Sequence, residues 1–335
     1  MRTARLWILA AVLAALAVIG PSAAEKPPSD AAPLERRVVR DIGYAGARIS
    51  LVFSPSEFEV GEGVLVDWVL RSARAVTTYF GRFPVRDVRI KLKAVDGNDI
   101  VEGAANMDPD ARIRITLGSR TNARTLQTDT TLVHELAHLA FPDHDDKHLW
   151  LHEGMATYVE WVAYAQSQEI AARRAWSEFM TEMPLGLPES EDQGLDDTPS
   201  YNRRYWGGAL YFLLADIEIR RRTANRLGVQ HALRAIHNAG GTLRDTWSIE
   251  RTLTTADSAT GTTVFQDLYK MMRGQPVSPD LATLWRRLGV QQNGGRVAFD
   301  DKAPLAAIRR GITAPPAWPL LLAEPSLVRQ GRRQR

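Results

Sequence analysis

Thr131-Leu132-Val133-His134-Glu135-Leu136-Ala137-His138-Leu139-Ala140 is the stretch on which the reading of this chain turns. Leu132, Val133, Leu136, Leu139 and Ala140 recur at helical spacing, so the segment should form a helix with one buried face. His134 and His138 are four apart, one above the other on that helix, and both imidazoles can grip one ion. Glu135 sits one residue round from His134, where it can act on a water instead of on the ion. The chain has no cysteine. That excludes disulfides, thiol nucleophiles and thiolate metal sites, so any metal must be held by His, Asp or Glu. Phe141-Pro142 ends the helix, and a polar loop follows.

Trp150-Leu151-His152-Glu153-Gly154-Met155-Ala156-Thr157-Tyr158 opens a second helix. His134-Glu135-Leu136-Ala137-His138 followed by this segment resembles the gluzincin metallopeptidases, in which the Glu of a W-L-x-E-G-x-A-x-Y helix is the third zinc ligand. The resemblance implies that Glu153 joins His134 and His138 on one Zn²⁺ per chain, leaving the open position of a catalytic site. It also implies a thermolysin-like zincin catalytic fold and a peptide or protein substrate. Fourteen residues separate His138 from Glu153, fewer than is usual in the clan. His144 is a rival third ligand, at the place of a metzincin's third His, but Phe141 stands where that motif needs Gly. His152 neighbours Glu153 but points about 100° away round the helix. His144, Asp143, Asp145, Asp146 and His148 otherwise read as a solvated loop.

Tyr205-Trp206-Gly207-Gly208-Ala209-Leu210 begins a further helix, 52 residues after Glu153. It resembles the Tyr-x-x-Gly helix start of the aminopeptidase-N-like and glycyl-aminopeptidase-like gluzincins, and 213–220 resembles the latter branch. The resemblance implies that Tyr205 donates to the oxyanion, with Tyr201 and Tyr158 as weaker candidates. Gly103-Ala104-Ala105-Asn106-Met107 occupies the place of the G-A-M-E-N segment, beside the edge strand that binds peptide backbone. Asn106 stands where that segment's Glu captures a free amine, which argues against aminopeptidase specificity. Thr157 and Glu160 share the helix face of Glu153, and either can hydrogen-bond a ligating His. Trp161, Trp176 and Trp206 read as core.

Around these motifs the chain reads as α+β, with an N-terminal mixed sheet bearing an edge strand and a helical C-terminal lobe. Strands are expected at 47–54, 88–95 and 112–117, the last as the edge strand, with a helix at 64–80 and a Gly- and Asp-rich loop at 96–110. Helices are expected at 130–140, 150–182, 205–222, 229–239, 261–272 and 280–288, with a loop at 183–204. The expected organisation is a signal peptide at 1–24, a linker at 25–33, and a catalytic unit at 34–290, strand-rich over 34–128 and helical over 129–290. An irregular tail at 291–335 completes it. Arg2, Arg5, the apolar run Leu6 to Ile19 and the small residues Ser22-Ala23-Ala24 carry the signal-peptide reading. They imply an exported protein, periplasmic or secreted, with no stable membrane span after cleavage. The 36 Arg against six Lys, with many Ala, suggest a GC-rich bacterial source.

The net charge of +3 hints at an acidic partner. Residues 1–24 carry two Arg and no acid, and 329–335 four Arg and no acid, so the remaining body is −3. No nucleic-acid partner is therefore expected, and nothing in the sequence sets an oligomeric state. The competing reading is a non-catalytic zincin-fold protein that binds peptides or envelope partners.

Overall fold

The computed structural model describes residues 38–316 and the backbone of 326–327. The expected signal peptide, the linker and the Arg-rich end lie outside these. In chain order the elements are β1 (Val38–Tyr44), β2 (Ala47–Phe53), α1 (Glu62–Phe80), β3 (Asp87–Val95), β4 (Ile100–Asn106), β5 (Arg112–Gly118), α2 (Ala123–Thr128), α3 (Thr131–His138), α4 (Leu149–Gln166) and α5 (Ala172–Glu182). Then follow α6 (Gly208–Arg222), α7 (Val229–Asn238), α8 (Ile249–Thr260), α9 (Val264–Met272), α10 (Leu281–Leu288), β6 (Val290–Asn293), β7 (Arg296–Phe299), α11 (Ala306–Thr313) and β8 (Ser326–Leu327). The fold is α+β, a mixed sheet with a helical lobe.

The sheet runs β4-β5-β3-β2-β1-β8. Parallel β2-β3 and β3-β5 pairs sit between antiparallel β4-β5 and β1-β2. Alternation sends Ile49, Leu51, Ile90, Leu92, Ile113 and Ile115 to one face, all buried. α1 buries Leu65, Trp68, Val69 and Val76 in the same core and packs against α3 and α4.

The edge strand is β4, within the stretch expected to be a loop, and Arg112–Gly118 is interior instead. Gly103-Ala104-Ala105 carries no alternating pattern because α3 crosses β4 closely: a Cβ on Gly103 would lie 2.5 Å from Glu135 Oε1. Small residues there serve that approach, and they hide the strand from a pattern based on large side chains.

The helix expected over 150–182 is two. The chain reverses at Gln168, whose φ of 64° is left-handed. The unexpected α8 is Thr-rich and weakly apolar, but its ends were marked: the Ser248 hydroxyl accepts from the Arg251 amide, and Gly261 takes the left-handed position that closes it. The irregular tail expected from 291 is ordered through 313. β6 and β7 form a hairpin, and the buried Arg309 guanidinium of α11 donates to the carbonyls of Leu288 (3.1 Å) and Gly289 (2.8 Å). The Gln166 amide donates to Ile312 O at 2.8 Å and ties α11 to α4.

α4 is buried nearly all round and runs through the middle of the helical lobe. It crosses α6 with backbones in contact. A Cβ on Gly154 would lie 2.3 Å from the Gly208 carbonyl carbon, and one on Gly208 would lie 2.2 Å from the Trp150 oxygen. Gly154→Ala should therefore force the two helices apart and destabilise the fold by about 2 to 3 kcal/mol in denaturant unfolding. A wild-type midpoint would contradict the contact.

Candidate metal centre

His134, Glu135 and His138 lie on α3 and are all buried, because the apolar face of that short helix is held between the sheet and α4. Trp150, at the start of α4, is anchored with its neighbours by Asp196, which accepts from the Trp150 indole (2.8 Å) and the Tyr269 hydroxyl (2.7 Å) and meets His148 Nδ1 at 3.0 Å. The stretch 143–148 is thus not wholly a solvated loop: His144 and His148 are both buried. From this anchor α4 aims Glu153 back at α3.

Glu153 Oε2 lies 3.2 Å from His134 Nε2 and 3.6 Å from His138 Nε2. The three side chains can each offer one donor atom to a common ion, all within 4.8 Å of one another. Tetrahedral zinc with ligands near 2.0–2.1 Å has donor atoms about 3.3 Å apart, so the set fits. Glu160, seven residues after Glu153 on the same face of α4, meets His134 Nδ1 at 2.9 Å. In a neutral ring that places the proton on Nδ1 and leaves a lone pair on Nε2 facing the Glu153 carboxylate. Two buried acceptors at that distance need a cation between them.

The electrostatics agree. Burial alone would depress the His134 pKa, but its hydrogen bonds to Glu153 and Glu160 outweigh it and hold the pKa well above the ordinary value. Burial would raise the Glu153 carboxyl, yet the His138 charge and the two histidine contacts hold it well below the usual range. The site draws positive charge to itself. Burial raises Glu135, with His138 and His134 pulling the other way, and the Ala105 backbone of β4 hydrogen-bonds its carboxylate. A raised carboxylate pKa suits a proton acceptor.

Tyr205 sits in a π-helical turn, Arg203–Gly207, at the start of α6. Its ring stacks on His134 at 5.9 Å and on Tyr201 at 4.4 Å. Burial, then the Glu153 charge, raises its pKa, and its hydroxyl hydrogen-bonds with Tyr201 and Glu153, so it remains a donor.

The rivals point elsewhere. His144 Nε2 meets Thr252 Oγ1 at 2.8 Å. His152 stacks flat on His138 at 4.3 Å instead of joining it, and burial followed by the His138 charge pushes its pKa well down. Tyr158 donates to Asp216 at 2.6 Å inside the core. Of the two candidate supports, Glu160 reaches a histidine, whereas Thr157 Oγ1 is buried with no partner among the described residues. Asn106, at the end of β4, accepts from the Asp108 amide at 2.7 Å. Trp161 and Trp176 are buried, and Trp206 is half-buried. The sequence reading missed the Gly154–Gly208 contact, although the Glu-Gly and Gly-Gly pairs beside Glu153 and Tyr205 carried it. It also missed Asp196, which no local pattern marks.

No protein-family model matches the sequence, and no curated protein does. By fold the chain is similar to an aminopeptidase N family protein from Idiomarina loihiensis, at 14% identity over 80% of this chain and 53% of that one, with a TM-score of 0.60. It is also similar to a mutant two-domain M1 zinc metallopeptidase bound to L-arginine, at 19% identity over 73% of this chain and 53% of that one, TM-score 0.50. The chain spans about half the length of these proteins. Together they establish an aminopeptidase N-like fold.

Glu160→Gln should weaken zinc binding about 10- to 100-fold in chelator competition, because it loosens His134. Unchanged affinity would remove Glu160 from the site. Burial lowers the pKa of both His144 and His237 to about 4, and both stay neutral in the fold. Below about pH 6.5 the unfolded chain takes up protons the folded chain refuses, so stability held above that pH is lost as pH falls towards 4, by up to about 3 kcal/mol per histidine. A His144→Gln/His237→Gln chain should show a flatter stability profile between neutral pH and pH 4.5. An equal slope would contradict the assignment.

Proposed function

We propose that this chain is an exported zinc-dependent peptidase that hydrolyses peptide or protein substrates with one Zn²⁺ held by His134, His138 and Glu153. The reading rests on one observation: three metal-ligating side chains converge beside a buried carboxylate, Glu135, at the edge strand of a sheet. The fold it shares with zinc metallopeptidases supports it. Export rests on residues 1–24; among the described residues no helix is long and apolar enough to cross a membrane.

Bound there, zinc would polarise the scissile carbonyl and lower the pKa of an attacking water to about 7. Glu135 takes that water's proton and returns it to the leaving amine as the C–N bond breaks. The raised Glu135 pKa favours the first transfer, in which the carboxylate accepts the proton. The Tyr205 hydroxyl turns from Glu153 to the oxyanion as charge develops there. The outer edge of β4, which pairs with no strand among the described residues, offers backbone groups to an extended substrate. Glu160 fixes the His134 tautomer and its orientation.

Glu135→Gln should retain zinc and lower kcat by about 10²- to 10⁴-fold on a peptide library. Tyr205→Phe should lower kcat by about 10²-fold with KM little changed. Wild-type turnover by the Glu135 variant would overturn the mechanism. Zinc binding without any hydrolysis by the wild-type chain would favour the non-catalytic peptide-binding alternative.

A further inference from the structure

The helices cover one face of the sheet; the other face carries charge of a single sign at its centre. Alternation directs Arg89, Lys91 and Lys93 of β3, Arg112 and Arg114 of β5 and Arg48 of β2 outward, and all are exposed. Register sets Arg89 opposite Arg112 and Lys91 opposite Arg114. Like charges directly opposed on neighbouring strands repel and cost stability. Among the described residues, ion pairs form only at the margin of this row, Arg48 with Asp87 at 3.5 Å and Arg112 with Asp110 at 4.0 Å. None reaches Arg89, Lys91, Lys93 or Arg114. Two acids that share the face are engaged elsewhere: Glu102 accepts from the Thr116 hydroxyl and Asp41 from the Ser50 hydroxyl.

Two hollows follow the row. One, of about 520 Å³, is lined by five Arg, at 48, 86, 89, 112 and 244, against two acids, Asp87 and Asp110. The other, of about 270 Å³, lies beside Lys91 and Lys93, with Glu57 at its wall. We propose that this outer face is a docking surface for an extended acidic polypeptide segment. Residues at alternate positions of β3 repeat every ~6.7 Å, the same repeat as alternate side chains of an extended acidic peptide. Guanidinium groups match carboxylates two bonds at a time. Among the described residues the exposed large apolar side chains, Val101, Leu149, Leu185, Tyr201 and Met271, all lie off β2, β3 and β5, so these three strands offer a bilayer no exposed large apolar side chain. The chain's own C-terminal residues 329–335 carry four Arg and would be repelled. The body's slight net acidity hid this local concentration from a whole-chain charge count. The surface is on the opposite face from Glu135 and stands independently of the peptidase chemistry.

The test is binding of a fluorescent peptide of alternating Glu and Ala to the full chain carrying Glu135→Gln, which prevents turnover of the probe. Binding should weaken with salt, and an Arg89→Glu/Lys91→Glu/Lys93→Glu variant, which sets Glu opposite Arg112 and Arg114, should lose at least about tenfold in affinity. A variant with the same charge change on the helical lobe and the β6–β7 hairpin, Arg287→Glu/Arg296→Glu/Lys302→Glu, should lose less than about threefold. The face variant should melt no lower than the parent, because it removes opposed like charges. Equal losses in both variants, no binding at all, or a lowered melting temperature in the face variant would overturn the proposal. So would tighter binding of duplex DNA or of phosphatidylserine vesicles that the face variant abolishes.

Discussion

The Glu153 carboxylate and the His134 imidazole face each other across 3.2 Å, with side chains only 15% and 11% exposed. Everything else in the site depends on this contact. Glu160 takes the other ring nitrogen, so the facing nitrogen has only a lone pair to present to an anion. A proton can occupy the gap, which is why the His134 pKa rises while that of Glu153 falls. A divalent ion answers the same demand with two charges, and it also draws in His138, 3.6 Å from the same carboxylate oxygen. The cost of burying these groups is met only when a cation is shared among them.

The scaffold is arranged to hold that contact. α4 is apolar on nearly every side, so a carboxylate within it must face a partner, and α3 supplies one. The Gly154–Gly208 contact brings the start of α6, and Tyr205 with it, against Glu153. Gly103 lets the edge strand pass directly over Glu135, so the carboxylate beside the candidate metal centre is also the one beside the strand edge left unpaired among the described residues. The three glycines of these two close approaches are needed for a common reason: a single Cβ at any of them would displace a functional side chain or the helix that carries it.

Much of the centre was legible in the sequence because its spacing is helical. The histidines are four positions apart, Glu160 lies seven after Glu153, and both intervals return to one helix face. The third candidate ligand came from resemblance, since spacing alone left His144 and His152 open; only the packing of Phe141, Thr252 and His138 turned those two aside. β4 and α8 escaped because hydrophobic periodicity is their weakest feature: small residues make room for α3 in the first, and threonines fill the second. The order in 290–313 was missed because it depends on Arg309, a charged residue whose burial is set by carbonyls distant in sequence. The outer-face cations were visible as an alternating pattern, but their opposition across strands required the register.

X-ray absorption at the zinc edge of the purified full chain tests the central claim most directly. The account predicts one zinc per chain with two imidazole nitrogens and carboxylate or water oxygens, at about 2.0 to 2.2 Å. Three imidazoles around the ion, or a chain that binds no zinc, would contradict it.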